Sequence, residues 1–462
     1  MIAKAEQSYP LSTPRQGWSE QDPEDWWRAA QSTLEAVTTK GVREVGGIGL
    51  SGQMHGLVCL DDEDRVLRPA ILWNDQRTGV ECGEIEQRVG LQRLIQLTGN
   101  RALTGFTAPK LLWLRRHEPE VYSRIAHILL PKDYVRLRLT GERAIDVTDA
   151  SGTLLFDVAR RRWSDEVIKA LDINTSWLPR VLESPEVSGR TADGVAVAAG
   201  AGDQAAAALG VGVDKPGPLS VVLGTSGVVF AALPAFAADP QARVHAFCHA
   251  VPGAWHAMGV MLSAAGSMQW FRDELAAGVS FAALDAEATG SAPGSEGLIF
   301  LPYLAGERTP HADPDARGAF IGLSVRHHRA ALVRAVLEGV AYGLRDSLEL
   351  LSALGVHADA GRASGGGARS RLWLQIVASV LGLPLELTVL EEGSAYGAAL
   401  LGGVAGGAFG NVHEAVDACV RVRDVVEPDA IWQQTYTDGY QRFTDLYPSL
   451  RAHFQRAATP AN

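Results

Sequence analysis

Cysteine is scarce in this sequence: Cys59, Cys82, Cys248 and Cys419 are four in 462 residues, far apart and without a C-x-x-C pair. That spacing excludes a zinc-ligand pattern and a disulfide framework, and it suits a reducing compartment. Excess positive charge is lacking too. Lys and Arg number 42 against 53 Asp and Glu, a formal charge of −11, so nucleic acid and anionic membrane are poor partners. The basic runs Arg160-Arg161-Arg162 and Arg326-His327-His328-Arg329 are too short to form a binding face. They are expected in loops or at helix ends. No apolar run matches the roughly 20 residues of a membrane-spanning helix. Val195–Val213 carries Asp203 at its middle, and Gly393–Gly410 holds seven glycines in eighteen residues. Met1-Ile2-Ala3-Lys4-Ala5-Glu6 leads into no apolar stretch, unlike a secretory leader. The expectation is a cytoplasmic protein.

What is present in excess is glycine, 49 residues beside an ordinary 22 prolines, which points to tight turns and close backbone approaches. The length calls for two domains. Val211–Pro218, with two glycines and two prolines, is the candidate boundary, dividing the chain into 1–212 and 213–462. In the first part, apolar residues at 26, 27, 30, 34 and 37 mark a helix preceded by Asp22-Pro23. Val45–Leu50 reads as a buried strand entering the turn Ser51-Gly52-Gln53, and Ala70–Trp73 as a second short strand. Val195–Ala199 is a further strand, turned by Gly200–Gln204 into an alanine-rich helix. In the second part, Leu219–Leu223 and Val228–Ala232 flank Gly224-Thr225-Ser226-Gly227 as a hairpin. Leu332, Val336, Val340, Leu344, Leu348 and Leu351 step along one long buried helix, and Gly365-Gly366-Gly367-Ala368 precedes a helix at 371–381. The alternation implies an α/β fold in two lobes.

Several segments could carry chemistry. Gly224–Gly227 offers backbone N–H groups and two hydroxyls to an anion, or is a plain turn. Gly365–Ala368 could admit a nucleotide, or merely turn sharply. Gly200-Ala201-Gly202-Asp203-Gln204-Ala205 matches G-x-G-x-x-A, but Asp203 would put a carboxylate where a pyrophosphate belongs. Asp203 makes better sense as a base at a strand end, kept ionised by the helix N-terminus and taking a proton from a substrate hydroxyl. A capping aspartate is the alternative. His245, His249 and His256 have no carboxylate or cysteine at ligand spacing and read as helix-surface or loop histidines. Met54-His55, following a strand-end turn, is a reasonable ligand site.

Gly105-Phe106-Thr107-Ala108-Pro109-Lys110-Leu111-Leu112-Trp113-Leu114-Arg115-Arg116-His117 fits one signature of the FGGY carbohydrate kinases. Gly318–Leu323 through Ala335-Val336-Leu337-Glu338 fits the other, except that Ala331 replaces a usual polar residue on what should be an exposed helix face. Trp18–Pro23, Gly52–Gly56, Trp73-Asn74-Asp75, Leu130–Tyr134 and Leu301–His311 add to the likeness, which covers nearly the whole chain and points to the branch acting on D-xylulose. The resemblance implies two actin-like, ribonuclease H-like lobes around a cleft, and ATP- and Mg²⁺-dependent phosphorylation of a ketopentose. Another ketose or polyol is the alternative. It implies Asp203 as general base and the carboxylate beside Mg²⁺, and Gln53, Met54, His55, Asp203 and Gln204 around the sugar. Gly224, Thr225 and Ser226 would hold the ATP phosphates, with Gly366, Gly367 and Ala368 near the adenosine. A homodimer is compatible with it.

One departure from the family pattern stands out. The family begins with an Asp-x-Gly-Thr-Ser hairpin, and nothing before Gln16-Gly17-Trp18 supplies it; Met1–Ala5 reads as the third strand of the first sheet. The expectation is a first lobe lacking its first two strands, with an open sheet edge, half of the phosphate clamp absent and turnover impaired to the point of a sugar- or nucleotide-binding remnant.

Overall fold

The computed structural model describes residues 2–39, 44–390 and 393–458. In the first lobe the helix Pro23–Thr38 starts where its signals lie: the Asp22 carboxylate accepts the Glu24 N–H, and Pro23 fills the first helical position. Two short parallel pairings form the lobe's centre, Gly47–Ile48 with Ala196–Val197 and Ser51–Gly52 with Ala201–Gly202. Val187–Arg190 adds an antiparallel strand outside. Helices Gly79–Val89, Leu91–Thr98, Thr107–His117 and Pro131–Thr140 surround them.

The second lobe is built on seven strands in the spatial order 245–248, 255–261, 227–233, 218–223, 360–364, 385–388, 422–426. The hairpin 218–223/227–233 lies inside this sheet, where the sequence expects a hairpin. Gly227–Leu233 is buried throughout because both faces are covered. Val229, Ala231 and Leu233 enter the second lobe's core, while Val228, Phe230 and Ala232 enter a core shared with Leu111, Leu112 and Ile128 of the first. Alternate side chains of one strand thus bind the two lobes together. The long helix spans Arg329–Ala353, and Arg371–Leu381 packs beside it.

The helix Gly393–Ala405 follows the second-lobe strands in sequence but lies on the first lobe, against the helix Asp203–Gly210 and the strand Gly47–Ile48. The contact is backbone on backbone. A Cβ on Gly397 would overlap the Ala206 carbonyl, and one on Gly49 the Ala398 carbonyl, so only glycine permits this approach.

Four expectations are corrected. Val45–Leu50 is not a buried strand: only Gly47–Ile48 is extended, half-buried, and no described residue pairs with its far edge. Residues 2–5 form no strand, and Met1 lies outside the described residues. Ala331 is buried rather than on an exposed helix face. His245 and His256 lie on strands rather than on helix surfaces or loops, His249 lies in the loop after the first of these strands as expected, and all three are buried.

Candidate active site

Parallel strands carry ligands beyond their carboxyl ends, and two such ends meet here. Ser51–Gly52 runs into Gln53-Met54-His55, and Ala201–Gly202 into Asp203. Asp203 is the first residue of its helix, with Gly202 in the capping position, so it is not the cap. The expectation is a carboxylate held ionised by the helix end. Burial outweighs that influence and the Gln204 N–H, and pushes the Asp203 carboxyl up to about 6. At neutral pH it is still mostly ionised.

Met54 and His55 sit on two glycines. A Cβ at Gly202 would meet Met54 Cγ at 2.7 Å, and one at Gly152 would meet the His55 ring at 2.6 Å. His55 has a left-handed backbone, φ 69°. That conformation is held by Lys110, whose buried ammonium donates to the His55 carbonyl at 2.8 Å and the Gly105 carbonyl at 2.7 Å, and by the Thr107 hydroxyl at 3.0 Å. His55 Nδ1 lies 2.7 Å from the Gly152 carbonyl. A carbonyl only accepts, so Nδ1 carries the proton and Nε2 is left as an acceptor. Burial pushes the ring down to about 3, with the Lys110 and Arg308 charges acting the same way, so it is neutral at working pH. Gln53 donates to Gln21 at 2.9 Å, and Gln21 also accepts from Trp26; Gln204 is half-buried beside Asp203.

Beneath these residues lies a fully buried ionic cluster. Lys132 Nζ is 2.7 Å from Asp133, 3.0 Å from Asp146 and 3.2 Å from Asp149, and Arg136 is 2.8 Å from Asp133. Three acids face two cations, and burial raises the Asp149 carboxyl well above its usual range. Asp146 accepts from the Thr148 hydroxyl, and that oxygen accepts the Gly202 N–H at 2.8 Å. The backbone entering Asp203 is therefore tied to the cluster.

The glycine segments of the second lobe lie together. Leu223 faces Gly227 in the hairpin register, leaving Gly224, Thr225 and Ser226 as a three-residue tip. The Gly224 and Thr225 carbonyls accept N–H groups of Ala265, Ala264 and Gly266 at 2.7–3.1 Å. Thr225 is exposed and Ser226 half-buried. A Cβ at Gly365 would fall 2.7 Å from Leu223 and 2.9 Å from the Gly224 nitrogen, so the two loops touch. Gly366 faces open space. Gly367 has a packing reason of its own, since a Cβ there would meet Leu223 and the Trp373 ring at 2.8 Å. Ala368 packs partly buried on the second-lobe core.

The N-terminal domain of the FGGY family of carbohydrate kinases matches residues 1–211, and the C-terminal domain matches residues 219–406. The chain belongs to the FGGY carbohydrate kinases. Among relatives, this FGGY kinase is 42% identical to the xylulose kinase of Escherichia coli over 97% of its own length and 94% of that protein's. It is 37% identical to the xylulose kinase of Bacillus subtilis, covering 98% and 92%. The solved xylulose kinase from Rhodospirillum rubrum superposes with a TM-score of 0.90 at 34% identity, covering 96% and 93%. The two-lobed, actin-like α/β expectation is borne out, and the activity is that of a carbohydrate kinase. No helix among the described residues is long and apolar enough to cross a membrane.

The sequence reading gave no role to Lys110, Lys132, Thr148 or Arg308, although all but Thr148 lie in motifs it singled out. The signal was a charged residue within an apolar or glycine-rich motif, where solvation cannot be assumed.

Proposed function

We propose that this FGGY kinase transfers the γ-phosphoryl group of ATP to the C5 hydroxyl of D-xylulose, giving D-xylulose 5-phosphate. Asp203, a strand-end carboxylate beside Met54-His55 and bonded to no cation among the described residues, carries this reading. A base must be ionised yet avid for a proton, and a carboxyl raised to about 6 meets both needs near pH 7. Asp203 takes the hydroxyl proton while that oxygen attacks phosphorus. Gln53, Gln204, the Met54 side chain and the neutral His55 Nε2 bound the sugar, Nε2 accepting from one of its hydroxyls.

The Gly224-Thr225-Ser226 tip supports a phosphate role because its carbonyls are turned away into hydrogen bonds with residues 264–266. Its hydroxyls and N–H groups then face the anion. Gly366, open on its exposed side, with Gly367 and Ala368 behind it, would lie along the adenosine. Among the described residues no three acids, histidines or cysteines converge as a metal site. Mg²⁺ commonly takes one or two carboxylates, with phosphates and water completing its shell. Asp203 fits as that single carboxylate, and the ion would neutralise phosphate charge.

The test is ADP release with Mg·ATP and a panel of D-xylulose, D-ribulose, xylitol and glycerol. Release dependent on D-xylulose and strongest with it is expected; stronger release with another sugar would move the assignment to that substrate. Sugar binding with no ADP release from any of the four would overturn the proposal.

A further inference from the structure

The strand Trp255–Met261 has two edges with different partners. One edge pairs along its whole length with Gly227–Leu233, whereas the other meets His245–Cys248 only as far as Met258. Beyond Met258 the backbone groups on that edge would be left bare, and buried backbone groups need partners. Glu307 and Thr309 supply them. Thr309 N–H donates to the Val260 carbonyl at 3.0 Å, and its hydroxyl accepts the Val260 N–H at 3.0 Å and donates to the Arg243 carbonyl at 2.8 Å. Glu307 Oε1 then accepts the Leu262 N–H at 2.9 Å and the Arg308 N–H at 2.7 Å.

Leu262 lies between this edge and the Gly224–Ser226 tip. Met261 faces Gly227 in the strand register, and the Ala264, Ala265 and Gly266 N–H groups donate to the Thr225 and Gly224 carbonyls at 2.7–3.1 Å. The carboxyl is itself fixed from behind. The Glu307 N–H and carbonyl both bond to the Asp313 backbone, at 2.9 and 2.8 Å, and the Asp313 side chain accepts the Tyr447 hydroxyl at 2.7 Å. A series of contacts therefore runs from Tyr447 through Asp313 and Glu307 to Leu262, just before the tip is gripped at Ala264. Glu307 is 2% exposed, and no ion pair reaches its carboxylate among the described residues. Burial pushes this carboxyl up to about 8 against the pull of its two N–H donors, so it is mostly neutral near pH 7. A neutral carboxyl accepts through one oxygen as an amide does.

We propose that Glu307 is a positioning residue for the phosphate tip, a hydrogen-bond acceptor whose Oε1 holds Leu262 so that the hydroxyls and N–H groups of Gly224–Ser226 stay turned to the ATP phosphates. The role needs an acceptor in one place and needs no charge. Glutamine keeps Oε1 and loses the charge. Aspartate keeps the charge and draws the acceptor back by one methylene, about 1.5 Å. The two substitutions therefore rank in the opposite order to that expected of a charge or metal-holding role. The inference rests on the tip being the phosphate site.

The experiment is calorimetric titration of Glu307→Gln and Glu307→Asp with Mg·ADP and with adenosine, beside steady-state KM values for ATP and D-xylulose. Glu307→Asp is expected to weaken Mg·ADP binding and raise the ATP KM about tenfold, with adenosine affinity and sugar KM within about twofold. Glu307→Gln should stay within about threefold of the unmodified enzyme on all these readings. Loss of ADP affinity in Glu307→Gln overturns the proposal in favour of a charge. Unchanged ADP affinity in Glu307→Asp overturns it too, as does a parallel fall in ADP, adenosine and sugar affinity, which would mark a merely structural part. Where the Asp variant does not fold, the Gln variant still decides between acceptor and charge. Thr225→Val combined with Ser226→Ala tests the tip separately. Unchanged ADP affinity in that double variant sinks the phosphate reading. Weakened ADP binding there, beside normal binding in Glu307→Asp, sinks the Glu307 inference alone.

Discussion

Asp203→Asn should separate stability from activity in opposite directions. In the unfolded chain the carboxyl titrates at its ordinary value of 3.8, and in the folded protein burial lifts it to about 6. The native state thus holds this proton more tightly than the unfolded state. Raising pH from 3.8 towards 6 therefore lowers stability, and the whole penalty is present above about pH 6. At 1.36 kcal/mol per pKa unit, it amounts to at most about 3 kcal/mol, less where cleft water screens the charge. Asparagine has the same shape and no charge, so the variant should melt a few degrees higher at pH 7.5 and no higher at pH 3.5. Turnover should fall about 10²- to 10⁴-fold, the usual contribution of a general base. In the unmodified enzyme, activity should fall about tenfold per pH unit below 6, as the base protonates. Thermal melts at the two pH values and a kcat/KM profile from pH 4.5 to 8 test all three. A variant that melts lower at pH 7.5, or keeps more than a few per cent of turnover, would refute the reasoning.

Lys110→Met removes two donors from the carbonyls that fix the left-handed His55. The sugar KM should rise about tenfold and stability fall by roughly 1–3 kcal/mol, with the ATP KM unchanged; kinetics and denaturant melts check this. Gly397→Ala drives a methyl group into the Ala206 carbonyl and should destabilise by about 3 kcal/mol or more, read as a lowered melting temperature or loss of soluble protein. Gly366→Ala and Gly367→Ala form a paired test. The first enters open space and should leave the melt unchanged while raising the ATP KM, and the second should lower the melt by crowding Leu223 and Trp373.

Legibility in the sequence followed the kind of physics involved. The helix 23–38, the hairpin 218–233 and the helix 329–353 were readable because cap, turn and periodicity agree there. The strand at 47–48 was misjudged because apolar residues interleaved with glycine suggest burial, whereas its far edge has no described partner. His245 and His256 were misplaced because polar residues default to the surface. Here His256 stacks on Phe230 at 4.2 Å and His245 on Phe247 at 5.5 Å, and burial keeps both rings neutral. Asp203 was singled out from its place between strand and helix, and that placement is what the structure has. Lys110 could not be assigned, because nothing local says that a buried cation will turn to the His55 and Gly105 carbonyls; only the folded chain shows that.

The glycine seam between residues 393–405 and the helix that begins at Asp203 bears on how such kinases can be recombined. A chimera joined near residue 212 would place a foreign helix against Ala206 and Gly210, where even a methyl group does not fit. The heritable unit of the sugar lobe is therefore discontinuous. Residues 393–405 would have to travel with it, grafted as an insertion into whatever nucleotide lobe is supplied. Fragments divided at the sequence boundary should stay unsoldered: neither half contains both sides of the seam.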